Sequence, residues 1–344
     1  MAKSLRISAL LFFLFSSSLL ASVTGYLKVN SFYLHFLEES SAVHLARVRL
    51  KLEQRWGSFS FKLHSEVDML YGEKTFYSLF TGNLLEELKP FYLHRGDRFK
   101  IYHFFDRLSL IYHGRSFVFS AGRQRIPWGK AKIFSVMDVF NPYNPFALEK
   151  EERQGVDSLR MQYYFSGFSW VEGVYARRNG KNDYGTAVFF SVGGADVNLA
   201  AASLSGDKLI GAAVEKGTGK IVLRGEAAVR KTASGLKADF SLGADYQLSS
   251  RMFLTGEFLS TKGSEMFPKG KVLAILGDYK IAELSSLQAA YFHVSPGGGD
   301  FFYLRFSRSL AQNLDVYFGL FYARSGTTLW QFPKIVYGGA AFYY

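Results

Sequence analysis

The sequence predicts an all-β fold: a transmembrane antiparallel β-barrel of about 16–18 strands, with one long loop folded into the lumen. Three observations predict it. Apolar and polar residues alternate over runs of about ten, the length of a tilted membrane-crossing strand. Aromatic residues make up 17% of the chain, with 34 Phe and 21 Tyr, yet mean hydropathy is only +0.02. Beyond Gly25, no stretch is long and apolar enough to be a transmembrane helix. A soluble domain must hide so many rings in a core. A barrel in lipid turns them outward and keeps polar groups inside, so the average cancels.

The chain opens with Lys3 and Arg6, followed by an apolar and serine run from Ile7 to Leu20 and small residues around Ala21-Ser22-Val23-Thr24-Gly25. This reads as a secretory signal peptide over residues 1–22, cut between 21 and 25, which leaves 23–344 as one barrel domain. A membrane anchor needs about 20 apolar residues, and this core is shorter and interrupted by Ser16-Ser17-Ser18.

The alternation is cleanest at Leu236, Ala238, Phe240, Leu242, Ala244 and Tyr246, set against Lys237, Asp239, Ser241, Gly243, Asp245 and Gln247. Period two puts the two sets on opposite faces of a strand. Phe59, Phe61, Leu63, Val67 and Met69 form a second such set, and Leu314, Val316, Phe318, Leu320 and Tyr322 a third. Short breaks at Tyr112–Arg115, Ser166-Gly167, Ser205–Asp207, Lys216–Lys220, Leu248–Ser250 and Ala311–Asn313 have hairpin-turn composition. Tyr71 to Lys89 is ambiguous; Asn83 to Lys89 suits a short helix ended by Pro90. A soluble sandwich or propeller also alternates, but buries its rings between sheets and uses shorter strands.

One stretch, Gln124 to Asp157, breaks the rhythm. It holds Pro127, Pro142 and Pro145, three of the chain's seven prolines, and proline withholds a ladder donor. Ile133, Phe134, Val136, Val139, Phe140, Phe146 and Leu148 need a dry surface, so the segment is an ordered loop. It mixes charges: Arg123, Arg125, Lys130, Lys132 and Arg153 against Asp138, Glu149, Glu151, Glu152 and Asp157. Folded into the lumen it narrows the passage; placed outside, its charges only pair with one another. Trp128, Asp138, Asn141, Asn144, Glu149, Glu151, Glu152 and Arg153 are the constriction candidates.

Two segments carry a resemblance. The terminal Tyr337-Gly338-Gly339-Ala340-Ala341-Phe342-Tyr343-Tyr344 resembles the last strand by which bacterial outer-membrane barrels are presented to their assembly machinery, with Gly339, Phe342 and Tyr344 at the telling places. Gly122-Arg123-Gln124, Trp128-Gly129, Asp138, Asn141-Pro142, Asn144-Pro145 and Glu151 to Asp157 resemble the central motif of a thinly characterised family of outer-membrane porin-like proteins. The resemblance implies a Gram-negative outer-membrane channel for passive diffusion of small hydrophilic solutes. It also implies contact with lipid, lipopolysaccharide and barrel assembly machinery, and room for a homo-oligomer. The alternative is a plugged structural or docking barrel that binds a periplasmic or surface partner.

No catalytic grouping emerges. There is no cysteine and no G-x-S-x-G elbow, and Glu215 to Ile221 lacks the first glycine and the final Ser or Thr of a phosphate loop. His44 and His64 read as lumen lining. Asp138, Asn141, Asn144 and Glu149 offer oxygens of the kind calcium takes, but at no established spacing, so neither metal nor cofactor is expected. The formal charge is +12, and +10 once Lys3 and Arg6 are removed (12 − 2). Secretion and dispersed charge exclude nucleic acid. Arg47, Arg49, Lys51, Lys62, Arg160, Arg224, Lys237 and Arg251 stand on polar strand faces. With Arg123, Arg125, Lys130 and Lys132 they are the pore-lining candidates for an anion preference.

Overall fold

The structure is a computed structural model that describes residues 22–36, 39–73, 90–141, 155–178, 180–263, 269–324 and 334–344. The segment before Ser22, expected to be a signal peptide, the helix expected at Asn83 to Lys89, and Asn144, Glu149, Glu151, Glu152 and Arg153 lie outside the described residues.

Nineteen strands are described: β1 (Ser22–Phe36), β2 (Glu39–Trp56), β3 (Phe59–Gly72), β4 (Phe91–Arg95), β5 (Phe99–His113), β6 (Phe117–Gln124), β7 (Val156–Ser166), β8 (Ser169–Arg178), β9 (Lys181–Val192), β10 (Ala195–Leu204), β11 (Asp207–Thr218), β12 (Ile221–Thr232), β13 (Gly235–Gln247), β14 (Met252–Thr261), β15 (Gly270–Ala282), β16 (Ser285–Ser295), β17 (Gly299–Ala311), β18 (Leu314–Arg324) and β19 (Lys334–Tyr343). Sequence neighbours pair antiparallel around the ring, β3 pairs directly with β5, and β1 with β19. Leaving out β4, the wall is a closed barrel of 18 strands (19 − 1). Closure matters because an open edge in lipid would strand backbone donors and acceptors.

Strand β4 shows the same rule locally. The short β6 pairs with Leu108 to His113 of β5, then leaves the wall at Gln124. The rest of that edge of β5, Lys100 to His103, is paired by β4 instead.

The two ends differ. The first described strand begins and the last one finishes at the same end, where Gly25 and Tyr344 exchange backbone hydrogen bonds of 2.9 and 3.1 Å. The turns there are short, among them Gly57-Ser58, Gly167-Phe168, Gly193-Gly194 and Gln312-Asn313. All the long connections, 73–90, 125–155, 262–269 and 325–333, leave from the opposite end.

The alternation behaves as read. Leu236, Phe240, Leu242 and Tyr246 face outward with 75%, 39%, 55% and 39% of their surface exposed, values tolerable for such a row only against lipid. Rings gather near both edges of this outer band: Phe59, Tyr112 and Phe117 at the short-turn end, Tyr291, Phe302 and Tyr322 at the other. Outward basic residues crowd the long-turn rim, each within two positions of a strand end: Arg123, Arg177, Lys208, Lys231, Lys271, Arg324 and Lys334.

Three expectations need correction. The interior is not polar throughout. Its long-turn half carries an apolar belt, with Phe32, Leu34, Val43, Leu45, Leu70, Phe301 and Ile335 all pointing inward and buried. His44 points outward, because Val43 and Leu45 take the inner face of β2; it bonds Ser31 Oγ and stacks on Tyr71. Arg251 is in the turn between β13 and β14, where Ser249 and Ser250 end the alternation.

Candidate functional site: the lumenal loop and its two walls

The chain leaves β6 after Gln124 and runs inside the barrel, where residues 133–141 are all buried. Its contacts progress along the wall. Trp128 Nε1 donates to Glu172 of β8 at 2.7 Å, and Trp128 O accepts from Asn198 of β10 at 2.5 Å. The backbone amides of Lys130 and Ala131 donate to Glu226 of β12. Those of Lys132, Ile133 and Phe134 donate to Glu257 of β14. The Phe134 ring then meets Phe292 of β16, edge to face at 6.3 Å. The chain turns back there, and Val136 N and Met137 N return to the second oxygen of Glu226 at 2.8 and 3.1 Å, joined by Ser135 Oγ at 3.0 Å.

The loop is therefore a flattened hairpin laid on one wall. Its arms are tied by their own polar residues: Asn141 Oδ1 accepts from Ile126 N at 2.6 Å and Asp138 Oδ1 from Gly129 N at 2.7 Å. Those two oxygens, considered for calcium, hold the loop's backbone, and no metal-ligand cluster exists among the described residues. Inward glycines of the wall make the sockets. A Cβ on Gly185 would strike Trp128 and Phe140, which pack edge to face at 4.9 Å, and one on Gly211 would strike Met137. A Cβ on Gly129 would collide with Ser135 and Glu226, so the tight turnback needs glycine there.

The chemistry of the anchor is unusual. Glu226 and Glu257 are 3% and 2% exposed, and among the described residues neither forms an ion pair with Lys or Arg. Backbone N–H dipoles and serine hydroxyls compensate their charge instead, as hydrogen bonds to an ionised acceptor are the strong kind. These bonds also satisfy amides of a loop that has no ladder of its own.

The opposite wall uses arginine. Arg47 forks onto Asp68 with two 2.8 Å bonds and reaches Glu66 at 3.0 Å; Arg49 binds Glu66 at 2.6 Å and also Asp106. Arg107 holds Asp106 at 2.6 Å, and Tyr102 donates to Asp68 at 2.9 Å. A bulge at Asp106, opposite the step from His64 to Ser65, turns both Asp106 and Arg107 inward. Three arginines meet three acids, so the cluster is formally neutral.

The remaining candidates fall as follows. Lys51 lies on the inner face beside His64, and Lys62 pairs with Glu53 at 3.2 Å. Arg160 binds Glu172 at 2.5 Å, and Arg224 holds Glu215 and Asp245 at 2.5 and 2.7 Å. Lys132 also reaches Asp245, at 2.7 Å, while Arg125 stands exposed at the loop's start, 3.9 Å from Asp138. The Lys130 side chain is half-buried. Arg123 departs from the reading: the register places it with Phe119 and Ala121 on the outer face, paired to Asp157 at 2.7 Å on the rim. At the terminus, Phe342 and Tyr344 are exposed and Gly339 faces inward, where a Cβ would strike Asn30 and Tyr317. Glu172 and Glu257 were not singled out from the sequence. Each is an acid whose inward neighbours two places away on its strand are apolar or small, Trp170 and Val174 for Glu172 and Thr255 and Leu259 for Glu257, which was the available signal.

No family model and no curated protein matches this sequence. Solved structures do. OccK2 of Pseudomonas aeruginosa, in complex with glucuronate, superposes with a TM-score of 0.62 at 9% identity, over 94% of this chain and 97% of that one. OmpF of Salmonella typhi gives 0.54 at 9% identity, over 94% and 97%. An engineered Rh. blastica porin gives 0.53 at 13%, over 94% and 100%. At such identities the likeness is one of fold, and by fold the chain is a porin-like transmembrane β-barrel.

Proposed function

We propose that the mature chain is an outer-membrane channel through which small hydrophilic solutes diffuse passively, without cofactor or catalysis. The observation that carries it is the loop's course: residues 125–141 lie inside the barrel and along one wall, where they narrow a lumen whose facing wall bears charged side chains. Short turns and the meeting of Gly25 with Tyr344 mark the periplasmic end, and the long connections the cell surface. The ring of outward basic residues at the surface end then meets anionic lipopolysaccharide phosphates, and the exposed aromatic terminus serves recognition by the assembly machinery.

The anion bias expected from the sequence is weak in this reading. Arg47, Arg49, Lys62, Arg160 and Arg224 are each compensated by acids, and much of the excess charge sits on the outer rim. One observation favours the rival reading of a plugged docking barrel: the buried apolar belt continues along β1, β2 and β3, away from the described loop. Single-channel recording separates the two. A channel gives discrete conductance steps, and deleting residues between Lys132 and Lys150 from a folded barrel enlarges them. Silent wild-type protein that is correctly folded would establish the plug.

A further inference from the structure

The inward strand arginines follow one rule, with one exception. Arg47, Arg49, Arg107, Arg160, Arg178, Arg224 and Arg230 each have a carboxylate within ion-pair distance. Setting aside Arg55, which is exposed at the rim, and Arg95 on the short β4 outside the 18-strand wall, which is exposed over the Tyr92 ring, the exception is Arg305 on β17. Among the described residues no acid pairs with it. Its Nε donates to Ser307 Oγ at 3.2 Å, and its guanidinium lies over the Tyr317 ring, 4.0 Å from the centroid.

The setting is built by two glycines. Tyr337 of β19 reaches across inward Gly319 of β18, where no Cβ fits, and donates to the Tyr303 hydroxyl at 2.9 Å. Tyr317 of β18 crosses inward Gly339 of β19 in the other direction and donates to Asn30 of β1 at 2.6 Å. Lys28 Nζ approaches the same Tyr317 ring at 5.4 Å. Two cations thus converge on one fixed ring. The place is distinct from the loop: Arg305 is four residues toward the periplasmic end from Phe301, which pairs with Phe292 under the loop tip, or about 13 Å along the strand.

We propose that Arg305, supported on Tyr317, is a binding point for a small organic carboxylate with an apolar or aromatic body. A planar guanidinium matches a carboxylate in a two-bond fork, and stacking on a ring leaves the outer edge of that fork available to a ligand. Tyrosine faces beside it suit an apolar body better than bare phosphate. A half-buried cation without its own acid gains most from a mobile anion. The site rests on the channel reading only for how a solute reaches it.

The test is calorimetric titration of the refolded full-length mature barrel in detergent with benzoate, with neutral benzamide as control. Saturable benzoate binding is expected, benzamide at least about tenfold weaker. Arg305→Gln abolishes the benzoate signal, and Arg305→Lys weakens it about tenfold because an ammonium lacks the fork. Arg308→Gln, an outward change on the same strand, binds like wild type. Equal binding of benzamide, no binding by wild type, or undiminished binding by Arg305→Gln overturns the site. If Arg305→Gln does not fold, full affinity in Arg305→Lys does so. Conductance of the same preparation reports separately on the channel: a barrel that binds benzoate but passes no current keeps the site and removes the pore, and one that conducts but ignores benzoate does the reverse.

Discussion

The two halves of the lumen wall neutralise their buried carboxylates in different ways. On β2, β3 and β5, Glu66, Asp68 and Asp106 meet Arg47, Arg49 and Arg107. On β12 and β14, Glu226 and Glu257 meet the backbone amides of a loop. The first device stiffens the wall by joining neighbouring strands. The second makes a wall dependent on a distant segment, since the Lys130 amide and Glu226 are 96 residues apart in sequence. The arginine wall is complete when its strands pair; the acid wall is complete only when the loop arrives.

The largest difference should come from removing one partner on the arginine wall. Arg49→Leu leaves Glu66 and Asp106 buried with less compensation and should cost about 3–5 kcal/mol, read as a fall in the urea midpoint of the folded barrel. Arg49→Leu combined with Glu66→Leu should recover part of that loss. If the double change is worse than the single one, the wall is not the self-contained network described.

On the acid wall, Glu226→Leu with Glu257→Leu should spare the barrel but release the loop. Trypsin should then cut after Arg125, Lys130 or Lys132, which the native fold resists, and mass spectrometry of the fragments shows it. A wall with no acids that still protects those bonds would mean apolar packing alone seats the loop. Either acid changed singly to Gln keeps the shape but replaces one accepting oxygen by a donor, for about 1–3 kcal/mol.

A milder probe fills one socket. Gly211→Val should push Met137 out and shift the loop at a cost of about 1–3 kcal/mol, with tryptophan emission reporting on the displaced Trp128. The arginine wall, untouched, should keep its stability.

The smallest effect belongs to Lys62→Gln. Its pair with Glu53 is about two-fifths exposed on both sides, and such pairs contribute about 0–1 kcal/mol. The zero-current potential in a salt gradient should shift slightly toward cations, more at low salt, where screening is weaker. A large shift would return the lumen's selectivity to this pair.

Much of this was legible before any fold was known. Leu236 to Tyr246 and Leu314 to Tyr322 lie on the lipid face because a strand's period of two is local and needs no partner. The loop from Gln124 was marked by its prolines and apolar residues, and its inward course follows from those residues needing a dry surface. Parity also placed Arg47, Arg49, Arg160 and Arg224 inside.

Tertiary structure decided the rest. Arg123 stands one residue from the end of β6, where alternation gives no warning that the outer face continues. His44 sits among Val43 and Leu45, and a polar residue between two apolar ones reads as inward unless the inner face is known to be apolar there. Glu226 counts as one negative charge in the sequence. Whether an arginine or a row of amides neutralises it depends on which segment crosses the lumen to reach it. Strand pattern is written in neighbouring residues, but the partner of a buried charge is chosen by chain far away, and only the closed barrel brings the two together.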